Sequence, residues 1–342
     1  MAALYTGKKA LVTGGTGSIG RELTTQLLAS GVEVVRVLSN DENGLFEMQQ
    51  HFGDERIRYL LGDVRDPERM KTAAQNIEVV FHAAALKHVP IGEYNPFEFV
   101  ITNVIGTKNV IDACLYNDVE NFVLISTDKA VNPVNTMGAS KLLCEKLVVD
   151  STRGYKGQRR TNFTCVRFGN VLKTRGSVTE VFTKQLAKGG PLIVTDPEMT
   201  RFVLSQETAV ARVLKATKFT EGEILVMKMK ALRIIDLAEA IIEEYAGSLG
   251  YDPSLIRKQV TGARPGEKIH EELMTEIEAS GCYETDEFFV IPPYAPPSDI
   301  PQTRRQPAKL PYTSREGPHM TKEEIRNLLR LTGAPPQAAG KL

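Results

Sequence analysis

Short apolar segments alternate with amphipathic helical stretches through the first half of the chain. The stretch Arg21–Ser30 carries its leucines on one helical face, and Asn103–Asn117 also has a helical pattern. Strands that alternate with helices form right-handed crossovers, so this order predicts an α/β fold with a doubly wound parallel sheet and helices on both faces. The apolar segments that predict strands are Lys9–Thr13, Val32–Leu38, Arg58–Gly62, Val79–Ala83, Phe122–Ser126 and Phe163–Phe168.

The second half of the chain has a less regular pattern, which predicts a smaller mixed α/β lobe. Thr321 and Glu324 form a capping box that opens a last helix over Ile325–Leu331. The Pro-rich segment 292–311 is typical of a meandering connection rather than a core element. The other predicted elements are a strand at Pro191–Thr195, helices at Gln206–Thr217 and Ile235–Glu244, and a helix that follows Ala263–Lys268 and ends at Met274.

Charge and composition narrow the class of protein. The 342 residues include 42 Lys and Arg and 42 Asp and Glu, so the net charge is zero. This balance argues against nucleic-acid or membrane-surface binding by charge alone. We expect no signal peptide, because the first strand begins within about ten residues of Met1, and no apolar stretch reaches the ~20 residues that span a bilayer. We expect a cytoplasmic protein with buried free thiols at Cys114, Cys144, Cys165 and Cys282 and with no metal site.

A glycine-rich loop joins the first predicted strand to the first helix. It is Thr13-Gly-Gly-Thr-Gly-Ser-Ile-Gly20, with glycines in the pattern G-x-x-G-x-x-G. Small residues let the backbone approach a pyrophosphate, and a helix N-terminus offers free N–H groups and a positive dipole end. The loop therefore predicts a dinucleotide site built on Gly14, Thr16, Gly17, Ser18, Ile19 and Gly20.

The ends of the second and third strands bear on which dinucleotide binds. Ser39 and Asn40 could bond a 2′-phosphate, although no Arg stands in this run, and Asp41 could reach a ribose hydroxyl. Both NAD and NADP therefore stay open. Asp63 and Val64 follow the third strand, where the adenine ring is held in this arrangement.

Seven motifs together resemble the extended short-chain dehydrogenase/reductase family. Within it the chain is similar to soluble UDP-N-acetylglucosamine 4,6-dehydratases of polysaccharide biosynthesis, from Gly7 to about Met274 and again near Thr321. The resemblance implies a Rossmann domain over residues 1–170, to which later segments return, a UDP-sugar lobe over 171–332 and a flexible tail over 333–342. The motifs are Thr13–Gly20, Gly62–Val64, His82–Pro90, Ser126–Ala130, Arg167–Val171, Thr195–Arg201 and Ala263–Lys268.

The catalytic motif of that family departs from its usual form here. The usual Tyr-x-x-x-Lys is represented by Met137 and Lys141, and a thioether cannot take a proton from an alcohol. Either the site is inactive, or Thr127-Asp128-Lys129 does the proton work. Several members of the subgroup carry Met at this position, which favours the second reading.

The resemblance implies a reaction in which a tightly bound NAD or NADP is regenerated in each turnover. The C4 hydroxyl is oxidised, water is lost across C5 and C6, and hydride returns to C6, which needs an acid and a base close together. Asp128 is the candidate acid for the C6 hydroxyl and Lys129 the candidate base at C5, if burial or neighbouring cations lower its pKa. Lys141 is expected to hold the nicotinamide ribose. Thr127 could hydrogen-bond the C4 hydroxyl and Lys141 could accept its proton, directly or through water, with Met137 packing against the ring.

The resemblance also implies the remaining contacts. Ala83, Ala84 and Ala85 join the cofactor residues, and His82 is interpreted as a packed side chain. The implied partner is a UDP-N-acetylhexosamine, and the chain is expected to form a homo-oligomer through helices near Lys141. The rivals are a UDP-N-acetylhexosamine 4-epimerase and a non-catalytic nucleotide-sugar-binding protein. The candidate substrate residues are Lys87, His88, Asn170, Arg175, Thr195, Arg201, Arg264 and Glu267.

Overall fold

A computed structural model describes residues 2–153, 161–172, 174, 176–293 and 312–331. Its strands are β1 (Lys9–Thr13), β2 (Val34–Ser39), β3 (Ile57–Leu61), β4 (Val79–His82), β5 (Asn121–Ile125), β6 (Asn162–Arg167), β7 (Asn170–Val171), β8 (Leu192–Val194), β9 (Thr200–Leu204), β10 (Ile224–Met227), β11 (Lys230–Arg233), β12 (Lys258–Val260), β13 (Tyr283–Glu284) and β14 (Phe288–Ile291). Its α-helices are α1 (Ala2–Tyr5), α2 (Ser18–Ala29), α3 (Glu42–Phe52), α4 (Pro67–Ala73), α5 (Val89–Tyr94), α6 (Pro96–Phe99), α7 (Gly106–Tyr116), α8 (Thr136–Arg153), α9 (Val178–Leu186), α10 (Gln206–Lys215), α11 (Ile234–Tyr245), α12 (Glu276–Ser280) and α13 (Lys322–Leu331).

Nine strands form the main sheet, in the order β13-β14-β10-β6-β5-β4-β1-β2-β3. The strands from β10 to β3 are parallel, and β14 and β13 add an antiparallel edge. Parallel strands covered by helices on both faces are apolar throughout, and Val12, Val37, Phe81 and Val123 are fully buried. The predicted doubly wound α/β fold is confirmed. The carboxyl ends of β1, β4 and β5 meet at one edge, where ligands bind in such sheets.

A second hydrophobic cluster lies in the later part of the chain, as the predicted smaller lobe requires. The strands β7, β9 and β11 form one small sheet, and β8 and β12 form another. Helices α9, α11 and α13 bury Leu186, Leu237, Ile241 and Leu329 in this cluster. The segments that hold β10, β13 and β14 return to the main sheet, and the domain division at residue 170 stays a prediction.

The prediction of a helix that ends at Met274 is wrong. Residues 264–275 form turns and an isolated bridge, and a helix begins only at Glu276, where Thr275 and Glu278 make a capping box. A helix is excluded because this backbone pairs outward: the amide of Glu271 donates to Ser314 Oγ at 2.8 Å, and Gly266 has φ 80°.

Other sequence expectations have mixed outcomes. The strands β7, β9, β10, β11, β12, β13 and β14 were not predicted, and residues 100–105 form a π-helical turn that continues into α7. All four cysteines are buried free thiols, as predicted. Arg175, most of segment 292–311 and the tail 333–342 lie outside the described residues. In the described ranges, no helix is both long and apolar enough to span a bilayer, and no group of His, Cys, Asp or Glu is arranged to bind a metal.

Candidate active site

The glycine-rich loop between β1 and α2 lies against the end of β4. Gly14 has φ 66°, and a Cβ there would lie 2.7 Å from the backbone of Ala84. A Cβ on Gly20 would lie 2.5 Å from the carbonyl oxygen of Gly14. Gly17 caps α2 without a side-chain bond, so the first N–H groups of the helix remain available to an anion. The loop therefore has the shape that a dinucleotide pyrophosphate requires.

A cavity of about 580 Å³ lies over this loop. Its lining includes Thr127, Lys129, Met137, Lys87 and His88. The structure brings together on its wall almost every residue assigned to the cofactor from sequence: Gly14, Thr16, Gly17, Ser18, Ile19, Gly20, Ser39, Asn40, Asp41, Asp63, Val64, Ala83, Ala84 and Ala85.

The polar groups at the end of β2 already have partners within the protein. Thr16 Oγ1 and Ser39 Oγ lie 2.8 Å apart, and Asp41 caps α3 by accepting the Gly44 amide at 3.0 Å. Asn40 Nδ2 donates to Asp63 Oδ2 at 3.2 Å. Burial raises the pKa of Asp63, but its bonds to Arg65 outweigh this and leave the pKa below its ordinary value. These contacts favour neither NAD nor NADP.

A second cavity, of about 260 Å³, opens beside the first. Lys129, Asn170 and Gly176 line both cavities, so the two meet at these residues. Apolar side chains of the second lobe form much of its wall, including Phe182 and Ile193. The sequence-predicted substrate residues that line it are Asn170, Thr195, Arg201, Arg264 and Glu267.

Thr127, Asp128 and Lys129 follow directly after β5 and form a short 3₁₀ turn capped by Thr127. Thr127 Oγ1 donates to Asp128 Oδ1 at 2.8 Å, and Lys129 Nζ donates to the same oxygen at 2.9 Å. Asp128 is fully buried, and its Oδ2 has no partner among the described residues. Buried polar atoms are normally hydrogen-bonded, so this oxygen is suited to carry a proton or to accept one from a ligand.

Glu271 completes this group and was not identified from the sequence. Its Oε1 lies 3.5 Å from Lys129 Nζ and 3.7 Å from Arg201 Nε, and its side chain is 3 % exposed. The available signal was the pair of acidic residues Glu271 and Glu272 directly after a substrate motif. Assigning a helix to this segment obscured that signal.

The side chains that most affect Lys129 are two carboxylates, whereas a lysine that acts as a neutral amine is expected to have cations as neighbours. Burial lowers the pKa of Lys129, but Asp128 and Glu271 outweigh burial and raise it above the ordinary lysine value, while Arg201 lowers it. In the structure Lys129 is therefore an ammonium. Burial and Arg201 do lower its pKa, as expected from the sequence for a base, but the two carboxylates outweigh them, so the net lowering is not found.

Met137 and Lys141 lie one turn apart at the start of α8. Met137 is 5 % exposed and faces the larger cavity, whereas Lys141 is buried behind the wall and lines neither cavity. The ring of His82 is hydrogen-bonded on both sides: Nδ1 lies 2.7 Å from Thr13 Oγ1, and Nε2 lies 3.0 Å from Thr107 Oγ1. Burial, with the charge of Lys141, lowers the pKa of His82 to about 3, so the ring is neutral and packed.

Ser126 points away from the cavities into a buried ion-pair network. Its Oγ donates to Glu145 Oε1 at 2.5 Å, and Arg167 Nη2 lies 2.6 Å from Glu145 and 3.0 Å from Glu278. Arg167 also donates to the carbonyl of Leu273 at 2.9 Å. The network ties α12 and the turn before it to the main sheet, so it fixes the segment that carries Glu271.

A family described as polysaccharide biosynthesis protein matches residues 10–293. An inverting UDP-N-acetylglucosamine 4,6-dehydratase of Campylobacter jejuni is 41% identical over 85% of the chain and 84% of its own length. A UDP-glucose 4-epimerase of Rickettsia rickettsii is 34% identical over 95% of the chain and 96% of its own length.

Two further relatives cover nearly the whole chain. An uncharacterized membrane protein of Methanocaldococcus jannaschii is 48% identical over 95% of the chain and 96% of its own length. The crystal structure of Pen from Bacillus thuringiensis superposes with a TM-score of 0.89 at 39% identity, covering 97% of this chain and 99% of that one.

Proposed function

Since the chain belongs to the polysaccharide biosynthesis protein family of extended short-chain dehydrogenases/reductases, we propose that it is a UDP-N-acetylglucosamine 4,6-dehydratase. The observation that carries this proposal is Lys129 at the junction of the two cavities, bonded to Asp128, which is buried directly behind it. A carboxyl group and an amine side by side, next to a dinucleotide groove and a second cavity, are the parts that elimination of water requires.

NAD or NADP fits the larger cavity, because the backbone around Gly14 and Gly20 leaves no room for a Cβ and the N-terminus of α2 is open. Ser39 and Asp41 would face the adenosine ribose, and Asp63 with Val64 would hold the adenine. When bound, the nicotinamide supplies a hydride acceptor that is restored within the turnover. Lys141, behind the wall, would act on the nicotinamide ribose through a modest movement or a water.

Thr127 and Asp128 replace the missing tyrosine in the first proton transfer. Thr127 Oγ1 would accept the proton of the C4 hydroxyl as it passes its own to Asp128 Oδ1, to which it is already bonded. Met137 then needs no chemical role and packs beside the ring. This relay leaves Asp128 protonated, which is the form that an acid for the departing C6 hydroxyl must have.

Lys129 is the proposed base that removes the C5 proton once the C4 ketone has acidified it. The amine lies in both cavities, so it is the charged group best placed to reach a hexose that spans the junction. The same ammonium returns the proton to C5 at the end of the reaction.

The second cavity supports a UDP-sugar ligand. Arg201 is anchored by bonds from Nη1 to the carbonyls of Thr200 and Ile269, and Arg guanidinium groups suit diphosphates. Arg264 and Lys87 add positive charge, and Thr195 would contact the uracil. Glu267 would accept bonds from the uridine ribose, and Asn170 and His88 would complete the contacts to the UDP-sugar.

The product decides between the dehydratase and the nearest rival. The protein is incubated with UDP-N-acetylglucosamine, and the nucleotide sugar is examined by NMR. A UDP-4-keto-6-deoxy sugar supports the proposal, and the C5 coupling gives the configuration. Recovery of UDP-N-acetylgalactosamine alone would establish a 4-epimerase, a rival favoured by the relative from Rickettsia rickettsii. UDP-sugar binding without any cofactor reduction would establish a non-catalytic binding protein.

A homo-oligomer in the cytoplasm is the proposed state of the protein. Large apolar side chains are exposed on α5, α6 and α8, including Ile91, Tyr94, Phe97 and Leu143. An exposed apolar patch of this kind is typical of an interface. We expect a second copy of the chain to cover it.

A further inference from the structure

Glu271 is a buried carboxylate whose negative charge faces two cations, while one of its two oxygens has no hydrogen-bond partner among the described residues. Its Oε1 faces two cations, Lys129 at 3.5 Å and Arg201 at 3.7 Å, and its Oε2 is buried with no partner among the described residues. The main chain around it is fixed, because Ser314 accepts from its amide and donates to its carbonyl, each at 2.8 Å. One oxygen of this carboxylate therefore lies beside the Lys129 amine, and the other can receive a proton without breaking a hydrogen bond to a described residue.

The proposed reaction leaves one proton without a destination. The proton of the C4 hydroxyl moves to Asp128, yet Lys129 is an ammonium in the structure and cannot remove a proton from C5 in that form. The ionisable groups that act on Lys129 are Asp128, Glu271 and Arg201. Once Asp128 is protonated and Arg201 stays charged, Glu271 is the remaining acceptor.

We propose that Glu271 acts through Lys129 as a positioning residue and proton store: it holds the ammonium at the junction of the cavities and takes its proton while Lys129 acts on C5. The inference rests on the proposed function and deepens it.

Every proton in this scheme returns to its origin or leaves as water. The C4 O–H proton passes through Thr127 to Asp128, and one N–H proton of Lys129 passes to Glu271. The neutral amine takes the C5 proton as the C5–C6 double bond forms and the C6–O bond breaks, and Asp128 protonates the departing hydroxide to give water. Hydride then returns to C6, Lys129 protonates C5, and Glu271 returns its proton to Lys129.

The scheme is tested with Glu271→Gln, which keeps the size of the side chain and removes its charge. We expect the C4 oxidation to persist, seen as the ultraviolet absorbance of reduced nicotinamide after substrate is added. We expect product formation and deuterium uptake at C5 from D₂O to fall by roughly 100-fold. The matched control is Glu272→Gln, one residue along, whose carboxylate bonds Asn132 instead; it should behave as wild type.

A second measurement needs neither cofactor nor substrate. In protein with ¹³C-labelled lysines, the Lys129 signal is assigned by its loss in Lys129→Met and titrated. In Glu271→Gln, Lys129 should titrate at lower pH than in the wild type, because a neighbouring anion has been removed. Glu271→Asp keeps the charge, so its titration should stay near the wild-type curve while C5 exchange slows only in part.

Each alternative result has a distinct reading. Equal loss of C4 oxidation and C5 exchange in Glu271→Gln, or no loss of either, would overturn the proton-store assignment. An unchanged Lys129 titration in that variant would do the same. If Glu271→Gln does not fold, Glu271→Asp decides: slowing of both phases by one factor overturns the assignment, and slowing of C5 exchange alone supports it. A wild-type protein that forms no dehydration product would instead remove the proposed function, and this inference with it.

Discussion

Met137 presents a thioether to the larger cavity where a phenol usually stands in the family, and the proposed replacements are Asp128 and its two neighbours in sequence. Thr127 and Lys129 both donate to one carboxylate oxygen of Asp128, so a proton arriving at Thr127 would reach Asp128 without any rearrangement. Under the proposed function, the chemistry depends on the turn that follows β5 rather than on the helix that follows the turn.

Removing either member of the pair separates binding from chemistry. Asp128→Asn and Lys129→Ala should each lower the dehydration rate by about 100-fold or more, because each deletes one of the two acid/base functions. UDP affinity, measured by calorimetry, should change little, since Arg201 and Arg264 are untouched. Turnover near the wild-type rate in either variant would remove the assignment.

Installing the usual tyrosine tests whether the native site is active. In Met137→Tyr we expect no gain in dehydration, because the Thr127–Asp128 relay already takes the C4 proton. Rates are compared by NMR under identical conditions. If the variant were active and the wild type inert, the native site would be shown to be inactive.

The buried imidazole of His82 makes stability depend on pH. Its pKa falls from 6.5 to about 3 in the folded protein, so folding favours the neutral ring. The contribution is complete above the unfolded pKa and is lost as the pH falls from about 6.5 towards 3. In His82→Gln, the free energy of unfolding from urea denaturation should fall less steeply over that range. Parallel curves for both proteins would contradict this.

The sequence predicted which residues line the candidate site better than it predicted their contacts with one another. The glycine loop, Asp63, Arg201 and the Thr127–Lys129 turn follow from motif and position, because strand ends in a parallel sheet meet at one edge. The sign of the charges around Lys129 could not be predicted. It depends on Glu271, which lies 142 positions further along the chain and joins Lys129 only through tertiary packing.

At the scale of elements, one segment was predicted correctly and one was not. The first is the loop between β1 and α2, and the second is the set of turns at residues 264–275. The first is specified by local glycine chemistry and is folded as predicted. The second has an apolar and charged pattern that resembles a helix, but its backbone amides and carbonyls pair with residues 312–314 and Thr200. Tertiary hydrogen bonds override the local helical pattern there.

At the loop between β1 and α2, comparison of Gly14→Ala with Gly53→Ala separates the cost of a steric clash from the cost of backbone strain. An added Cβ meets Ala84 at 2.7 Å with φ 66°, so we expect loss of cofactor binding and a destabilisation of several kcal/mol. The control is Gly53→Ala, at φ 55° with nothing within 4 Å, where strain alone should cost about 1–2 kcal/mol. Denaturation and cofactor titration measure both. Equal costs would contradict the steric account.

At the scale of the whole molecule, the sheet carries the cofactor groove and the smaller lobe carries most of the second cavity. The alternation of strands and helices predicted the first six sheet strands closely. The antiparallel edge of β14 and β13 was not predictable, because those strands are short and come long after the sheet they join.

Disruption of the exposed apolar face should change the mass of the assembly. Tyr94 is 89% exposed on that face, so Tyr94→Glu should shift the protein towards a monomer in light scattering. Leu255→Glu, at a site 75% exposed outside the face, should leave the mass unchanged. A wild-type monomer, or equal effects of the two changes, would contradict the proposed interface.

Ser314 bonds the backbone amide and carbonyl of Glu271 and the hydroxyl of Thr200, at 2.7–2.8 Å. During synthesis, Ser314 leaves the ribosome 185 residues after Lys129. A nascent chain can therefore build the nucleotide groove and the Asp128–Lys129 pair while the carboxyl group of Glu271 still lacks its support. The order of translation thus makes this buried cluster one of the later parts of the described structure to be completed.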